Sequence, residues 1–491
     1  MRLGVLLSIC WAGCSFGQTL KPVHTGTEVG SYFATSGETP FWLRTNQFGI
    51  VPRDAAILTI RQAVRVDYHD KPRTRLDSLR AANRRVDWGW GTEAVLNAGY
   101  DYKLLIPEAY VKVKIGSFET WGGRRREIIG LVDSTLTSGS YAQSGNALPL
   151  LKFQMGFPDF TPKRSLFAVK GFYAHGWFES DRFVKNTLLH QKALYVRVGK
   201  PNWRLKLYGG INHQVMWGGG TERLPGSLIK NNQLPATFRD YIDIVMGNTL
   251  ANRTNVDTTR ISNFDRENRI GNHLGTIDVG LDYTTGSVAI FAYRQSIYED
   301  GSLFYLINIR DGLNGLRIRN LRPTNRDGLQ IQAILLEHLY TQSQGGSVFG
   351  DGDLLRGRDN YFNHSQYQDG WSRYGLTLGT PFITPSTDSR SGLPRYGFTN
   401  NNRVSVWHLG VSGQVMDFFR FQLKASYSQN LGTYVEPFPR PIHQFSSALT
   451  VSAPLYILNG VTARASVAVD AGELYDNTLG FYVGIRKDAS W

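Results

Sequence analysis

The residues of this chain best suited to chemistry are charged, amide and aromatic side chains that fall into three clusters. The first cluster is the run Arg124, Arg125 and Arg126, which is followed after a polar stretch by Asn146. Successive side chains of a strand point to opposite faces, so three adjacent arginines place guanidinium groups on both faces. Guanidinium matches carboxylates in two-point hydrogen bonds. The run therefore predicts either a site for the carboxylates of acidic sugars or an interior ladder of ion pairs with Asp and Glu.

The other two clusters combine amides, imidazoles and aromatic rings, which hydrogen-bond to sugar hydroxyls and stack on pyranose rings. Asn212, His213 and Trp217 form one of them, directly before three glycines. The other comprises Asn360, Tyr361, Asn363, His364 and Trp371. Both predict a carbohydrate-binding surface, although a strand end with an interfacial Trp and a glycine turn is the alternative for the former. We expect the tryptophans to contribute stacking that salt does not weaken, and the arginines to contribute salt-sensitive affinity.

Patterns of known catalytic and metal sites do not occur in the sequence. The ten histidines stand apart, without the short spacings of a metal site, and there is neither a nucleophile elbow nor a phosphate loop. Asp351, Gly352 and Asp353 resemble a calcium loop only weakly, because the closing Glu is missing. We therefore expect no enzyme, no cofactor and no metal. The alternative is a lipid or sugar hydrolase whose Ser, His and Asp residues meet only in the fold.

The N-terminus has the pattern of a secretory signal peptide over residues 1–17. Arg2 precedes the apolar run Leu3–Trp11, and small residues precede a cleavage site after Gly17. Cys10 and Cys14 both lie in this segment, so cleavage leaves a mature chain without cysteines or disulfides. Alternatively, Cys14 becomes a lipidated N-terminus. Either interpretation sends the chain out of the cytoplasm.

The elements that position these clusters are amphipathic β-strands. After the signal peptide there is no run of the roughly 18 apolar residues that a membrane helix needs. Instead, short stretches alternate with period two, of which 109–115, 203–208, 419–427 and 461–470 are the clearest. Their apolar faces begin and end in aromatic residues, and the chain stops on Trp491 after an alternating last stretch. The pattern predicts a transmembrane antiparallel β-barrel of the outer membrane, all-β in class.

The strand count and the domain limits follow from this pattern. At about 25 residues per strand with its connection, the mature chain predicts roughly 18 strands. Residues 18–60 lack clean alternation and are expected to form a short periplasmic or plug segment, with the barrel over 61–491. A lipid-facing charge costs roughly 2–4 kcal/mol, so the arginine run should lie at a rim or in the lumen. Long loops are expected over Asp70–Asp87, Gly218–Asn272, Asn320–Asp327 and Gln342–Gly370. Long loops of such barrels face outside and short turns face the periplasm.

The net charge of +14 is spread singly along the strands. An exported protein rarely meets nucleic acid, so an extracellular polyanion such as an acidic polysaccharide or lipopolysaccharide is the expected partner.

Several blocks, in order, resemble the capsule assembly family of outer-membrane proteins named Wzi, in the form found in Bacteroidetes. The blocks cover nearly the whole mature chain and include 41–49, 123–124, 138–139, 144–147, 174–178, 189–192, 212–219, 298–303, 311–313, 337–341, 359–364, 370–371 and 379–382. The resemblance implies an outer-membrane lectin that binds capsular or extracellular polysaccharide and helps to anchor or assemble it, together with the export machinery. A cationic porin for acidic oligosaccharides is the alternative function.

Overall fold

The computed structural model describes residues 21–69, 86–251, 253–299, 301–322, 328–349 and 357–491. The predicted signal peptide, the calcium-like stretch 351–353 and most of the loop predicted at 70–87 lie outside these residues.

Eighteen antiparallel strands pair in sequence order, and β22 returns to pair with β1, so the sheet closes into a barrel. This confirms the predicted fold class. The barrel strands β1–β13 and β18–β22, with four short strands β14–β17 between them, have these bounds: Val23–Ala34 (β1), Ile57–Val66 (β2), Val86–Ala98 (β3), Tyr102–Ile115 (β4), Phe118–Arg124 (β5), Leu151–Thr161 (β6), Phe167–Trp177 (β7), Leu188–Val198 (β8), Leu205–Trp217 (β9), Asn272–Thr284 (β10), Val288–Tyr298 (β11), Gly312–Asn320 (β12), Leu329–Tyr340 (β13), Ser372–Arg373 (β14), Leu376–Thr377 (β15), Thr384–Pro385 (β16), Thr399–Asn401 (β17), Val404–Val415 (β18), Phe419–Gly432 (β19), Pro437–Leu455 (β20), Val461–Gly472 (β21) and Thr478–Ser490 (β22).

The helices are short and lie in the connections. They are α1 (Phe41–Arg44), α2 (Phe238–Met246) and α3 (Asn263–Glu267), with a 3-10 turn at Gly301–Leu303. Among the described residues, no helix combines the length and apolar character needed to cross a membrane.

Alternation along each strand separates an outer apolar face from an inner polar face. In β22, Leu479, Phe481, Val483 and Ile485 are all exposed on the outside, whereas Tyr482 between them is buried in the interior. A strand with one apolar outer face suits a lipid environment, because hydrocarbon replaces the water that the outside of a soluble sheet would meet. The predicted apolar face of the last strand is confirmed.

The two ends of the barrel differ in the length of their connections. β1 runs away from the chain termini, so the connections after β1, β5, β9, β11 and β13 lie at the far end, here called the loop end. These span 35–56, 125–150, 218–271, 299–311 and 341–403. β2 ends and β3 begins at the opposite, terminal end, as do β12 and β13. The prediction that the loops at 70–87 and 320–327 face outside with the other long loops is therefore wrong. The long connections at one end match the usual asymmetry of outer-membrane barrels.

Three of the loop-end connections fold into the barrel. In 125–150, the Leu131 N–H donates to Asp278 of β10 and the Ser138 N–H donates to Glu337 of β13, over 2.8 and 2.6 Å. In 35–56, the Trp42 indole donates to Ser426 of β19 over 3.0 Å. The connection 341–403 packs against both. Their backbone polar groups are therefore satisfied by inward side chains of several walls, as a buried segment requires.

The predicted boundary at residue 60 needs correction. β1 is a wall strand between β2 and β22, so the wall begins at Val23 rather than at residue 61. The N-terminal part that lies inside is 35–56. The alternation of β1 is hard to detect in the sequence because Gly26 and Gly30 occupy inward positions, where a Cβ would meet the side chains of Arg486 and Tyr482.

Candidate functional site

A polar cleft of about 670 Å³ lies at the loop end. Its lining comes from four connections and from the first residues of β10. The residues that the following description uses are Phe183, Phe264, Asn268, Arg269, Asn272, Glu299, Arg358, Asn360, Asn363, His364, Asp369 and Tyr396. The cleft is thus assembled from segments far apart in sequence, which only the closed barrel brings together.

The base of the cleft is held by an aromatic residue beneath it. The indole N–H of Trp371 donates to the Asn272 side-chain oxygen over 3.2 Å, and Trp371 is fully buried. Trp371 therefore supports the cleft from below. The stacking role that the sequence predicted for Trp371 does not fit this position, because no face of the ring is accessible.

Asn360 and Asn363 form the framework of one wall. The Asn363 amide donates to Asn360 Oδ1 over 3.1 Å and to the Thr399 carbonyl over 2.9 Å, while its oxygen accepts from the Thr399 N–H over 3.0 Å. Asn402 donates to the same Asn360 oxygen over 2.7 Å. Because its oxygen is occupied, Asn360 can offer only its amide N–H groups to a ligand. Asn363 is fully used within the protein.

His364 is fixed in one tautomer. Its Nδ1 accepts from the backbone N–H groups of Gln366 and Tyr367 over 3.1 and 3.3 Å, so the proton of the neutral ring is on Nε2. Burial lowers the pKa of His364 to about 4. At neutral pH the ring therefore presents an uncharged N–H donor, held edge-on to Phe264 at 5.6 Å between ring centroids.

Tyr361 differs from its neighbours because it lies beneath the cleft rather than in its wall. Its hydroxyl donates to Asp311 over 2.8 Å and accepts from Asn308 over 3.0 Å. Burial raises the pKa of Asp311 to about 6, even though hydrogen bonds from Tyr361 and from the backbone of Gln344 and Ser343 lower it. Tyr361 therefore tethers this wall to the 299–311 connection.

The cleft lining contains two arginines and two carboxylates. No described residue forms an ion pair with Arg269 or Arg358; Arg269 donates to the Tyr298 hydroxyl over 2.9 Å, and Arg358 is exposed. The two carboxylates in the lining are already engaged. Glu299 accepts from the Phe362 N–H over 3.1 Å, and Asp369 accepts from the Phe183 N–H over 2.6 Å.

Aromatic rings and amides complete the accessible lining. Tyr396 is 41% exposed, and Phe183 and Phe264 are half-buried. Asn268 donates to the Phe264 carbonyl over 3.0 Å, which leaves its side-chain oxygen as an acceptor. Ring faces beside donors and acceptors suit a ligand that has hydroxyl groups on its edges and an apolar ring face.

The predicted cluster around residues 212–217 is split between the two faces of β9. Asn212 points inward, where it donates to Tyr195 of β8 over 3.3 Å. His213 and Trp217 point outward, and Trp217 packs under Tyr241 of α2 with ring centroids 5.0 Å apart. The prediction that these residues form one sugar-binding set is therefore corrected: alternation separates neighbours of odd and even number.

Arg125 and Arg126 of the arginine run point into the barrel, whereas Arg124 is paired with the outward residue Leu151. Arg124 ends β5, Arg125 pairs with Glu119 over 2.7 Å, and Arg126 pairs with Glu93 over 2.7 Å. None of the three lines the cleft. This is the ion-pair ladder that the sequence left open as the alternative to a sugar site.

Asn146 also serves the interior rather than the cleft. It accepts from the Asn46 N–H over 3.1 Å and donates to the Thr377 carbonyl over 3.0 Å. In this way it links the three inserted connections to one another.

The sequence missed Phe264, Arg269 and Tyr396. Phe264 and Arg269 lie in the loop predicted at 218–272, and Tyr396 lies beyond the loop predicted at 342–370. Exposed aromatic and basic residues in long connections were the available signal, but nothing in the sequence shows which connections meet. Among the described residues, no group of three or more His, Cys, Asp or Glu side chains is placed to hold a metal ion.

Comparison with known proteins shows the fold. Wzi of Escherichia coli is an outer-membrane protein involved in group 1 capsule assembly and a carbohydrate-binding β-barrel. It matches this structure with a TM-score of 0.58 and 15% sequence identity, over 94% of this chain and 83% of that one. OccAB4 of Acinetobacter baumannii matches with a TM-score of 0.47 and 8% identity over 97% of this chain and 99% of that one. OccK3 of Pseudomonas aeruginosa matches with a TM-score of 0.46 and 9% identity over 96% of each chain.

Neither a protein-family model nor a curated protein matches the sequence. The chain is a closed 18-stranded barrel whose architecture is shared with outer-membrane proteins.

Proposed function

We propose that this protein is an outer-membrane lectin that binds acidic capsular or extracellular polysaccharide at the cell surface and helps to anchor or assemble it. The loop-end cleft carries the proposal. It combines Arg269 and Arg358, which form no ion pair with described residues, with the His364 N–H donor and the exposed ring of Tyr396. Cations recognise the carboxylates of acidic sugars, and the neutral donor and the ring recognise hydroxyl groups and the pyranose face.

The inserted connections favour a binding role over transport. Segments 35–56, 125–150 and 341–403 occupy the interior through which an oligosaccharide would have to pass. The family resemblance of the sequence points the same way, as does the Wzi-like fold. Export machinery is then the expected partner of the barrel during polymer assembly.

The test measures retention of the host's own surface polysaccharide by the purified, detergent-solubilised barrel at low and high salt. Arg358→Gln should weaken binding about fivefold at low salt, because an exposed charge pair at about 4 Å is worth about 1 kcal/mol in water. Arg269→Gln should weaken binding more than Arg358→Gln, because Arg269 is less exposed to water than Arg358. Both losses should shrink at high salt.

Matched controls separate site effects from general ones. Arg420→Gln removes the same charge from the terminal end, and Phe304→Ala removes an aromatic ring that is 80% exposed at the loop end but lies outside the cleft. Neither should alter binding. Tyr396→Ala should weaken binding several-fold at both salt concentrations, since stacking contacts are worth about 0.5–1.5 kcal/mol. Wild-type protein that retains no polymer at either salt concentration would contradict the proposal, and a large conductance in planar bilayers would then favour the porin.

A further inference from the structure

The connection 218–271 does more than line the cleft, because part of it folds back over the outside of the barrel. Helix α2 packs on the outer faces of β7, β8 and β9. The Tyr241 hydroxyl lies 2.6 Å from that of Tyr173 on β7, and the Lys192 ammonium of β8 donates to the Val245 carbonyl. The Tyr241 ring also contacts Trp217 of β9.

The strand register shows that these contacts are on the outside. On β8, Lys192 shares a face with Leu194, which is 53% exposed. On β9, Trp217 shares a face with Ile211, which is 45% exposed. The pairing of β8 with β9 contains no bulge. Lys192 and Trp217 therefore stay on the same outer face of the sheet as Leu194 and Ile211.

The height of this contact can be worked out from strand geometry. The outward side chains of β9 begin at Leu205 and reach His213 eight residues later, roughly 26 Å along the strand. With a strand tilt of about 40°, the rise is roughly 20 Å at His213, which pairs with Lys192, and roughly 30 Å at Trp217, which contacts Tyr241. The contacts of α2 therefore span the upper edge of an apolar band about 25 Å tall. Helix α2 therefore lies at the level where the outer leaflet ends.

The part of the outer wall beneath α2 carries polar side chains, which would otherwise face lipid. His190, Lys192, His213 and His273 lie on the outward faces, and Nε2 of His213 is 2.9 Å from Nδ1 of His273. Exposed to acyl chains, such groups would be costly. Helix α2 contacts His190 through Tyr241 and Lys192 through Val245, whereas His213 and His273 contact each other and His273 contacts the Ile270 carbonyl.

The covering segment is well defined in its own right. Helix α2 begins with a capping box between Thr237 and Asp240 and ends at Gly247 in the left-handed conformation. Asp240 pairs with Arg260 and Asp243 pairs with Arg253, and these ion pairs tie the helix to the rest of the connection. A nine-residue helix is not stable alone, so these contacts hold it.

The helix has a second apolar face that no described residue covers. Phe238, Ile242 and Met246 are spaced four residues apart, and they are 79%, 46% and 68% exposed. Side chains at this spacing form one stripe along a helix. On the wall beneath α2, the next outward residues along β8, β9 and β10 are Leu194, Ile211 and Ile277, which are 53%, 45% and 45% exposed.

We propose that α2 is an interfacial anchor, with the stripe Phe238, Ile242 and Met246 inserted into the acyl chains of the outer leaflet. Two observations select lipid as the occupant: α2 packs on the outer face of the wall, directly above exposed apolar residues of the same strands, and its contacts span the upper edge of the apolar band. The anchor holds the base of the 218–271 connection at a fixed depth, and so positions Phe264 and Arg269 of the cleft relative to the membrane.

The test uses the full-length barrel in lipid nanodiscs, with Cys10→Ala and Cys14→Ala and one added cysteine carrying an environment-sensitive fluorophore. Three positions are compared: Ile242→Cys, Leu194→Cys in the lipid-facing band and Phe304→Cys in a loop-end connection. Quenching is measured with lipids that carry a spin label near the headgroup and with aqueous iodide. The label at residue 242 should be quenched by the lipid probe and shielded from iodide, as at residue 194.

A label at residue 242 that behaves like the one at 304, quenched by iodide and not by lipid, would overturn the anchor. If residue 194 also fails to report lipid, the membrane placement of the wall is wrong. Binding of polysaccharide does not enter either readout, so the anchor and the lectin proposal fail independently.

Discussion

Two titratable side chains hold the same part of the 341–403 connection, and we predict that they give it opposite dependences on pH. Asp311 accepts hydrogen bonds from the Ser343 and Gln344 N–H groups and from Tyr361. His364 accepts from the N–H groups of Gln366 and Tyr367 in the same wall of the cleft. Opening this wall would expose both groups to water, where their ordinary pKa values return.

The sign for Asp311 follows from its raised pKa. Burial moves the pKa from 3.8 to about 6, so the closed wall prefers the protonated carboxyl. The stabilisation is complete below pH 3.8 and is lost as the pH rises through 6. At 1.36 kcal/mol per pH unit, the change over this window is about 3 kcal/mol.

The sign for His364 is the reverse. Burial lowers the pKa from 6.5 to about 4, so the closed wall prefers the neutral ring. The stabilisation is complete above pH 6.5 and is lost as the pH falls through 4, by about 3 kcal/mol. In the wild type the two contributions nearly cancel, so the wall should open to a similar extent from pH 4 to 6.5.

Hydrogen exchange of the 341–349 and 361–373 peptides, compared with wild type at each pH, measures this opening. His364→Asn keeps an acceptor for the two N–H groups, and its protection should fall about thirtyfold from pH 4 to 6, because most of the Asp311 titration lies in this window. Asp311→Asn should show the opposite slope, on top of a constant loss from its weaker hydrogen bonds. Parallel pH profiles of the two variants and wild type would refute the reasoning.

Two further predictions concern the interior. Glu337→Leu leaves the Thr137 hydroxyl and the Ser138 N–H without their acceptor, which costs about 1–3 kcal/mol for each group. The loosened 125–150 segment should then raise the single-channel conductance. Unchanged conductance together with unchanged hydrogen exchange of this segment would argue against Glu337 as its anchor. Gly379→Ala places a Cβ 1.9 Å from the Tyr141 carbonyl oxygen and should lower the midpoint of thermal unfolding by several degrees. Gly226→Ala, where the space is open and the backbone is not left-handed, is the matched control and should leave the midpoint unchanged.

The fold could be predicted from the sequence because the strands of a membrane barrel alternate apolar, lipid-facing residues with polar, inward-facing ones. Every second residue of β22 meets lipid and must be apolar, so the face 479–485 is visible in the sequence. The position of β1 was missed because its outward face carries Thr27 and Ser31 among its apolar residues. Its inward face has Glu28 and Tyr32, but two further inward positions are glycines. Glycine is needed there because Arg486 and Tyr482 lie against the backbone.

The candidate site was predicted only in part, and the reason is the same alternation. In a connection such as 359–371, residues adjacent in sequence can share a surface, and Asn360, Asn363 and His364 do line the cleft together. Along β9 they cannot, because Asn212 and His213 point to opposite sides of the wall. A cluster of sugar-binding residue types is therefore informative in a loop and misleading in a strand.

The two faces of β9 also explain why one connection serves two surfaces. Helix α2 covers outward Trp217 on β9 and the outward polar groups His190 and Lys192 on the neighbouring β8. The chain must then return over the rim to enter β10 at Asn272, and the returning residues Phe264 and Arg269 become part of the cleft. Removing the cover would therefore do more than expose polar groups to lipid. It would release one wall of the cleft, so the depth of α2 in the membrane and the shape of the binding surface are set by the same segment.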